Sequence, residues 1–252
     1  MSTTFSPDAP ISEFVPLSTH VSPTVLKTTG GDYFMTWRLD GLPFVGREEW
    51  DIEHRHNTFN RMVQSLRAPD FANVAFWVHD VRRRRRVDDH ARFQEAFNQG
   101  LSDSYFKALS AQKLMQNELY LTLIYRPVVS GKRFVEKSAD TTRLASEQQQ
   151  AIDRVLELAS NMEAVLKDYA PVRLRMYEAS NGIVFSETLE FFGYLLNRID
   201  EPVPVLNAPV YRYLPVSRQR FSAKTGDFVI STPSGENHFG AVLNINEYPV
   251  GT

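Results

Sequence analysis

Residues 73–125 limit the possible folds more than any other stretch of the chain. Asn73-Val74-Ala75-Phe76-Trp77-Val78-His79 is apolar on both faces and β-branched or aromatic at most positions, which predicts a buried, central strand. Five consecutive arginines, Arg82 to Arg86, follow almost at once. A helical stretch then runs from about Asp88 to Ala108, and Glu118 to Tyr125 forms a second apolar strand. Within the helix Phe93, Phe97, Leu101 and Tyr105 recur every four residues, a stripe suited to packing on a sheet. In the strand after it Leu119, Leu121, Leu123 and Tyr125 share one face, with Tyr120, Thr122 and Ile124 opposite. Buried scaffold and concentrated charge meet where the first strand ends.

The flanks carry their own signals. Residues 1 to 22 hold Pro7, Pro10 and Pro16 with little periodicity, and read as an extended arm pinned by Ile11, Phe14, Val15 and Leu17. Val25 to Thr28 and Asp32 to Leu39 predict a hairpin, because Gly30-Gly31 supplies the positive φ values of a tight turn. Arg47 to Leu66 has helical apolar spacing, and Pro69 bars continuation. Asp140 to Tyr169 is the longest helical pattern, ended by Pro171. Ser180-Asn181-Gly182 turns a short hairpin, and Ser186 stands where a helix N-cap belongs. Short strands are expected at Phe228–Ser231, His238–Leu243 and Ile245–Tyr248.

Hairpins at both ends and irregular alternation between favour an α+β fold, with mixed or antiparallel sheets and packed helices. The strand–helix–strand–helix–strand order in the first half is compatible with a split-βαβ (ferredoxin-like) subdomain. The expected divisions are an arm over 1–22, a first α+β subdomain over 23–130 and a second α+β part over 131–252.

Composition enters mainly by exclusion. A net charge of −2 gives no global attraction to nucleic acid or anionic lipid, so any such binding is local. The chain has no cysteine, which removes disulfides, thiol nucleophiles and Cys-based zinc sites. No window approaches the roughly 18 apolar residues needed to span a bilayer.

Local motifs do not support catalysis. Gly131-Lys132 resembles a phosphate loop only superficially: Arg126 stands where the first glycine belongs, and Arg133 where Ser or Thr would bind Mg²⁺. His54 and His56 sit two apart, whereas two ligands on one helix face want a spacing of four. Asp88-Asp89 is explained by a helix start, where negative charge offsets the macrodipole. No catalytic, cofactor-binding or metal-binding residue is expected. The arginine run is the sharpest signal, with three readings: contact with an acidic patch on a partner or neighbouring subunit, phosphates of DNA or lipid, or a solvated strand exit balanced by Asp80, Asp88 and Asp89.

The ordered segments Ile11-Ser12-Glu13-Phe14-Val15-Pro16-Leu17, Gly31-Asp32-Tyr33-Phe34-Met35-Thr36-Trp37-Arg38-Leu39-Asp40-Gly41 and Phe76-Trp77-Val78-His79 resemble the N-terminal region of the CagE/TrbE/VirB family of type IV secretion and conjugal-transfer ATPases. Met115-Gln116-Asn117-Glu118-Leu119-Tyr120-Leu121-Thr122, Arg126-Pro127 and Phe239-Gly240-Ala241-Val242-Leu243 extend the resemblance over nearly the whole chain. It implies a docking and assembly domain of a bacterial protein, cytoplasmic and peripheral on the inner membrane, whose C-terminal RecA-like motor binds ATP and Mg²⁺. That motor drives pilus assembly and substrate transfer. Implied partners are the small inner-membrane subunits, other copies in a dimer or hexamer, and other secretion ATPases, with nucleic acid undecided. Under this reading Arg82, Arg83, Arg84, Arg85 and Arg86 face other subunits, and the aromatic hairpin with Phe34 and Trp37 faces the membrane-embedded partner.

Overall fold

The structure is a computed structural model that describes residues 9–41, 46–65, 73–84, 92–112, 114–127, 141–222 and 224–243. In chain order its strands and helices are β1 (Leu17–His20), β2 (Leu26–Thr28), β3 (Tyr33–Leu39), α1 (Glu49–Ser65), β4 (Val74–Arg84), α2 (Ala96–Ser110), β5 (Met115–Tyr125) and α3 (Thr141–Val165). There follow β6 (Val172–Arg173), β7 (Met176–Glu178), β8 (Val184–Ser186), α4 (Glu187–Asn197), α5 (Val210–Tyr213), β9 (Arg218–Phe221), β10 (Asp227–Ser231) and β11 (Asn237–Ala241). The class is α+β, as the sequence predicts. Contacts divide the chain into one unit of Met1–Met35, Tyr125–Glu157 and Leu174–Thr252, and another of Thr36–Ile124 and Leu158–Arg173.

In the first unit, β2 pairs antiparallel with β1 and with the start of β3, in the register Leu26↔Phe34 and Lys27↔Tyr33. Gly31 takes φ +89° in the turn, which a residue with a Cβ adopts only under strain. Part of the expected arm is therefore a strand, held by buried Val15 and Leu17. Arg126 closes the same hairpin, its guanidinium donating to both carboxylate oxygens of Asp32 at 2.8 and 2.9 Å. The β7–β8 hairpin turns at Gly182 and delivers Ser186, whose Oγ accepts from the Leu189 amide at 3.2 Å and caps α4 as expected. At the other end of α4, buried Asn197 accepts from the amides of Val216 and Ser217 and donates to the Leu214 carbonyl. A separate sheet of order β11-β10-β9 follows, of which β9 had no clear signal in the sequence. The expected strand at Ile245–Tyr248 lies outside the described residues.

In the second unit the strand order is β3-β5-β4, with β6 pairing β3 at Trp37↔Arg173 and Arg38↔Val172. The chain passes from β3 through α1 to β4 and returns through α2 to β5, which lies between them in the order. The buried layer comes from Trp37 and Leu39, from Tyr120, Leu121 and Leu123, and from Leu158, Ala159, Met162 and Leu166. Thr36 and Thr122, also buried, share a hydroxyl hydrogen bond of 2.9 Å. That bond lets two polar side chains occupy the interior without loss.

Two expectations fail here. The stretch from Asn73 is not a central strand: β4 is at the end of the sheet order, and β5 takes the middle. The helix, expected from Asp88, begins at Ala96, and its start as foreseen falls outside the described residues.

Candidate functional site

The arginine run does not hang off the end of its strand; β4 continues through Arg84. A strand sends successive side chains to opposite faces, so Arg82 and Arg83 point different ways. Arg82 is exposed. Arg83 meets Glu118 of the neighbouring β5, Nε to Oε2 at 3.0 Å. The same Oε2 accepts the Tyr120 hydroxyl at 2.8 Å. Burial, then the hydrogen bond and charge of Glu118, push the Tyr120 hydroxyl up to about 12, against the opposing pull of Arg83 and Arg38. Arg85 and Arg86 lie outside the described residues. The described side chains of the run are thus one half-buried, paired guanidinium and one that faces solvent.

Beside this charge the unit carries apolar side chains with little cover. Trp77 and Val78, adjacent on β4 and on opposite faces, are 48% and 65% exposed. On α2, Phe97 is 79% and Leu101 63% exposed, with Tyr105 exposed in line with them, while Phe93, also exposed, lies before the helix begins. This overturns the expectation that the stripe packs on a sheet. The half-covered side of α2 is instead Gln99, Ser102, Phe106 and Leu109, itself spaced at helical intervals. An amphipathic period therefore exists, but the larger apolar surface faces out. Isolated exposed apolar residues are ordinary, whereas a stripe over several turns marks an interaction surface. The signal was visible in the sequence; its direction was not.

Phe34 and Trp37 occupy interior positions, so in this structure neither side chain offers a surface to a partner. Phe34 packs edge-on against Phe192 with ring centroids 5.4 Å apart. Trp37 has no exposed surface and donates its indole N–H to Glu163 Oε1 at 2.6 Å. Arg173 grips both oxygens of the same carboxylate. The Arg173 guanidinium and, after it, the indole hold the Glu163 carboxyl below the usual range. A buried tryptophan generally needs such an acceptor, and here that need fixes Trp37 in the fold.

The other chemistry-bearing residues close on themselves. His20 Nε2 lies 2.8 Å from Ser186 Oγ, and its Nδ1 lies 3.3 Å from the Ser22 carbonyl. With Nδ1 protonated toward Ser22, Nε2 accepts the Ser186 hydroxyl, and burial pushes the imidazole down to about 4. The geometry resembles a nucleophile with its base, yet Ser186 has no exposed surface and is spent as a helix cap. Substrate cannot reach it. Sequence reasoning missed this pair because the two residues lie 166 positions apart. His54 and His56 both lie on α1, and among the described residues no group of His, Asp or Glu is arranged to hold a metal ion. No described helix is long and apolar enough to cross a membrane. Gly131-Lys132 falls outside the described residues.

Two family models match the chain in succession. The first, described as the N-terminal domain of the type IV secretion system ATPase VirB4/TrbE, covers residues 24–132. The second, the CagE, TrbE, VirB family of type IV transporter components, covers residues 172–252. The type IV secretion system protein virB4 of Brucella suis is 33% identical over 215 residues, 81% of this chain and 25% of its own length. The type IV secretion system protein PtlC of Bordetella pertussis is 34% identical over 216 residues, 82% of this chain and 26% of its own. The virB4 protein of Bartonella henselae is 24% identical over 245 residues, 95% of this chain and 30% of its own. The chain spans about a quarter of the length of the first of these relatives.

Proposed function

This chain belongs to the VirB4/TrbE family of type IV secretion proteins, matching its N-terminal domain, and from that premise we propose that it docks and assembles a secretion ATPase at the bacterial inner membrane. In this reading it anchors the motor to small inner-membrane subunits, supports a dimer or hexamer, and contacts companion ATPases during pilus assembly and substrate transfer. In the same reading ATP and Mg²⁺ are handled by a RecA-like part of the longer secretion ATPase. The arginines Arg82 to Arg86 serve contacts between subunits.

The observation that carries this reading is the ordered pair of family matches across residues 24–132 and 172–252. The exposed stripe on α2 and the bare apolar residues of β4 support it, because contact surface is what a docking domain requires. Replacing Arg82 to Arg86 by serine in the full-length protein is expected to weaken assembly on native gels while leaving its circular dichroism unchanged. Intact complexes would count against the role given to the arginines.

A second reading rests on five arginines in a chain of net charge −2: a module for single-stranded DNA or anionic lipid. It requires binding that falls steeply with salt. The pairing of Arg83 with Glu118 takes that guanidinium away from either kind of partner, so salt dependence is what separates the two readings.

A further inference from the structure

We propose that in the longer protein the polypeptide following residue 252 folds back onto the sheet of β9, β10 and β11 and covers its bare face along β11. The proposal rests on the reading of this chain as the N-terminal part of a secretion ATPase, and adds a surface against which the rest of that protein lies.

The sheet has one closed face and one open face. Its register places Ile230 between Gln219 and His238, and Phe228 between Phe221 and Gly240. Ile230 is buried, and Gln219 Nε2 donates to the Leu196 carbonyl of α4 at 2.9 Å, so this side lies on α4. The Phe228 ring fills the remainder by lying over Gly240, where a Cβ would come within 2.3 Å of it. On the opposite face Val229 stands between Arg220 and Phe239, and Phe239 is 82% exposed. Just past the strand, Val242 and Leu243 are 75% and 91% exposed. Phe239-Gly240-Ala241-Val242-Leu243 is thus an uncharged run with every residue but the glycine exposed. Such a run is a fault in a lone domain unless something covers it. Among the described residues β11 also ends the order β11-β10-β9, so one row of its backbone groups has no strand beside it.

No charged side chain lies within the run, so position along the chain selects the occupant. Arg220 and Asp227 share the open face but stand beside the apolar residues, as a polar rim stands around an interface core. The chain matches an N-terminal domain and equals 25% of the length of the Brucella suis relative, so on the reading above most of the longer protein comes after it. The family match over residues 172–252 takes in the whole sheet and runs on past its last strand. A segment tethered so close to Leu243 meets this face at an effective concentration of about millimolar, which a separate partner or a second copy rarely reaches.

The test is amide hydrogen exchange on the 252-residue chain and on the natural full-length protein, each at a low and a high concentration. Exchange across Asn237–Leu243 is expected to be roughly tenfold slower in the full-length protein at both concentrations, with the β7–β8 hairpin unchanged. Phe239→Asp alters a side chain that is already wet, so the thermal midpoint of the 252-residue chain should stay in place. In the full-length protein the same variant should lose the added protection, and the milder Phe239→Ser takes its place if that protein does not fold. Equal exchange in the two unaltered proteins overturns the proposal. So does slowing of β7–β8 as large as that of β11, which marks general stabilisation, or protection that survives both variants. Protection of the 252-residue chain that grows with its concentration, or protection of the full-length protein only at the higher one, overturns it in favour of a second copy. Any of these failures leaves the docking reading standing, because that reading is judged by assembly of the full-length arginine variant.

Discussion

β4 and β5 are neighbouring strands of equal length, 11 residues each, and both are rich in aromatic and aliphatic side chains. Tyr120, Leu121, Thr122 and Leu123 of β5 are all buried, while Val81 alone is buried among the described side chains of β4. α3 and α2 repeat the contrast. Val155, Leu158 and Met162 on α3 are interior, whereas Phe97, Leu101 and Tyr105 on α2 face solvent. The same pattern of residues thus builds core in one place and presents surface in another. What differs among the described residues is the number of neighbours: β5 has a strand on each side, and β4 has one. Apolar periodicity reports that an element has a face to cover, and says nothing of whether its own chain covers it.

Truncation is the most severe way to break this comparison. Leu123→Ala in β5 is expected to cost about 3 kcal/mol through lost burial and the cavity left behind. Val78→Ala in β4 should stay within about 0.5 kcal/mol. Urea midpoints for the two variants measure the gap, and equal losses would mean β4 is as well supported as β5.

A titration sharpens it next. The folded state holds the Tyr120 hydroxyl neutral, raising it from 10.0 to about 12. Its contribution is therefore complete below pH 10 and disappears as the pH climbs toward 12. The loss is up to roughly 2 kcal/mol. Stability measured across that alkaline range should fall less in Tyr120→Phe than in the unaltered chain.

The smallest expected effect is on α2. Leu101→Asp places a charge on surface already wet, so the unfolding midpoint should move by less than about 0.5 kcal/mol. A large loss from Leu101→Asp would show that the α2 stripe is covered in solution.

Local chemistry was legible. Gly31 and Gly182 mark turns because glycine tolerates positive φ, and Ser186 caps α4 because a short hydroxyl reaches the free amide of Leu189. The long helix after Asp140 followed from its spacing and from Pro171. The candidate surface was only half legible. Arg82 to Arg86 stand out, and so do the residues of the α2 stripe, but Phe34 and Trp37, which read from the sequence as contact residues, lie inside. An aromatic residue carries equal apolar area whether it faces a core or a partner, and nothing in its immediate neighbours distinguishes the two.

By itself the sequence determined most of the longer strands and helices, where several of them stop, and where positive charge gathers, because those outcomes depend on residues a few positions apart. The tertiary structure decided which strand stands in the middle, which helix face is left bare, and that His20 meets Ser186 and Trp37 meets Glu163. Those outcomes depend on pairings between residues far apart in the chain, 86 positions for Thr36 and Thr122, 126 for Trp37 and Glu163 and 166 for His20 and Ser186. The free energy of such pairings belongs to the assembled fold and to no stretch of the chain alone.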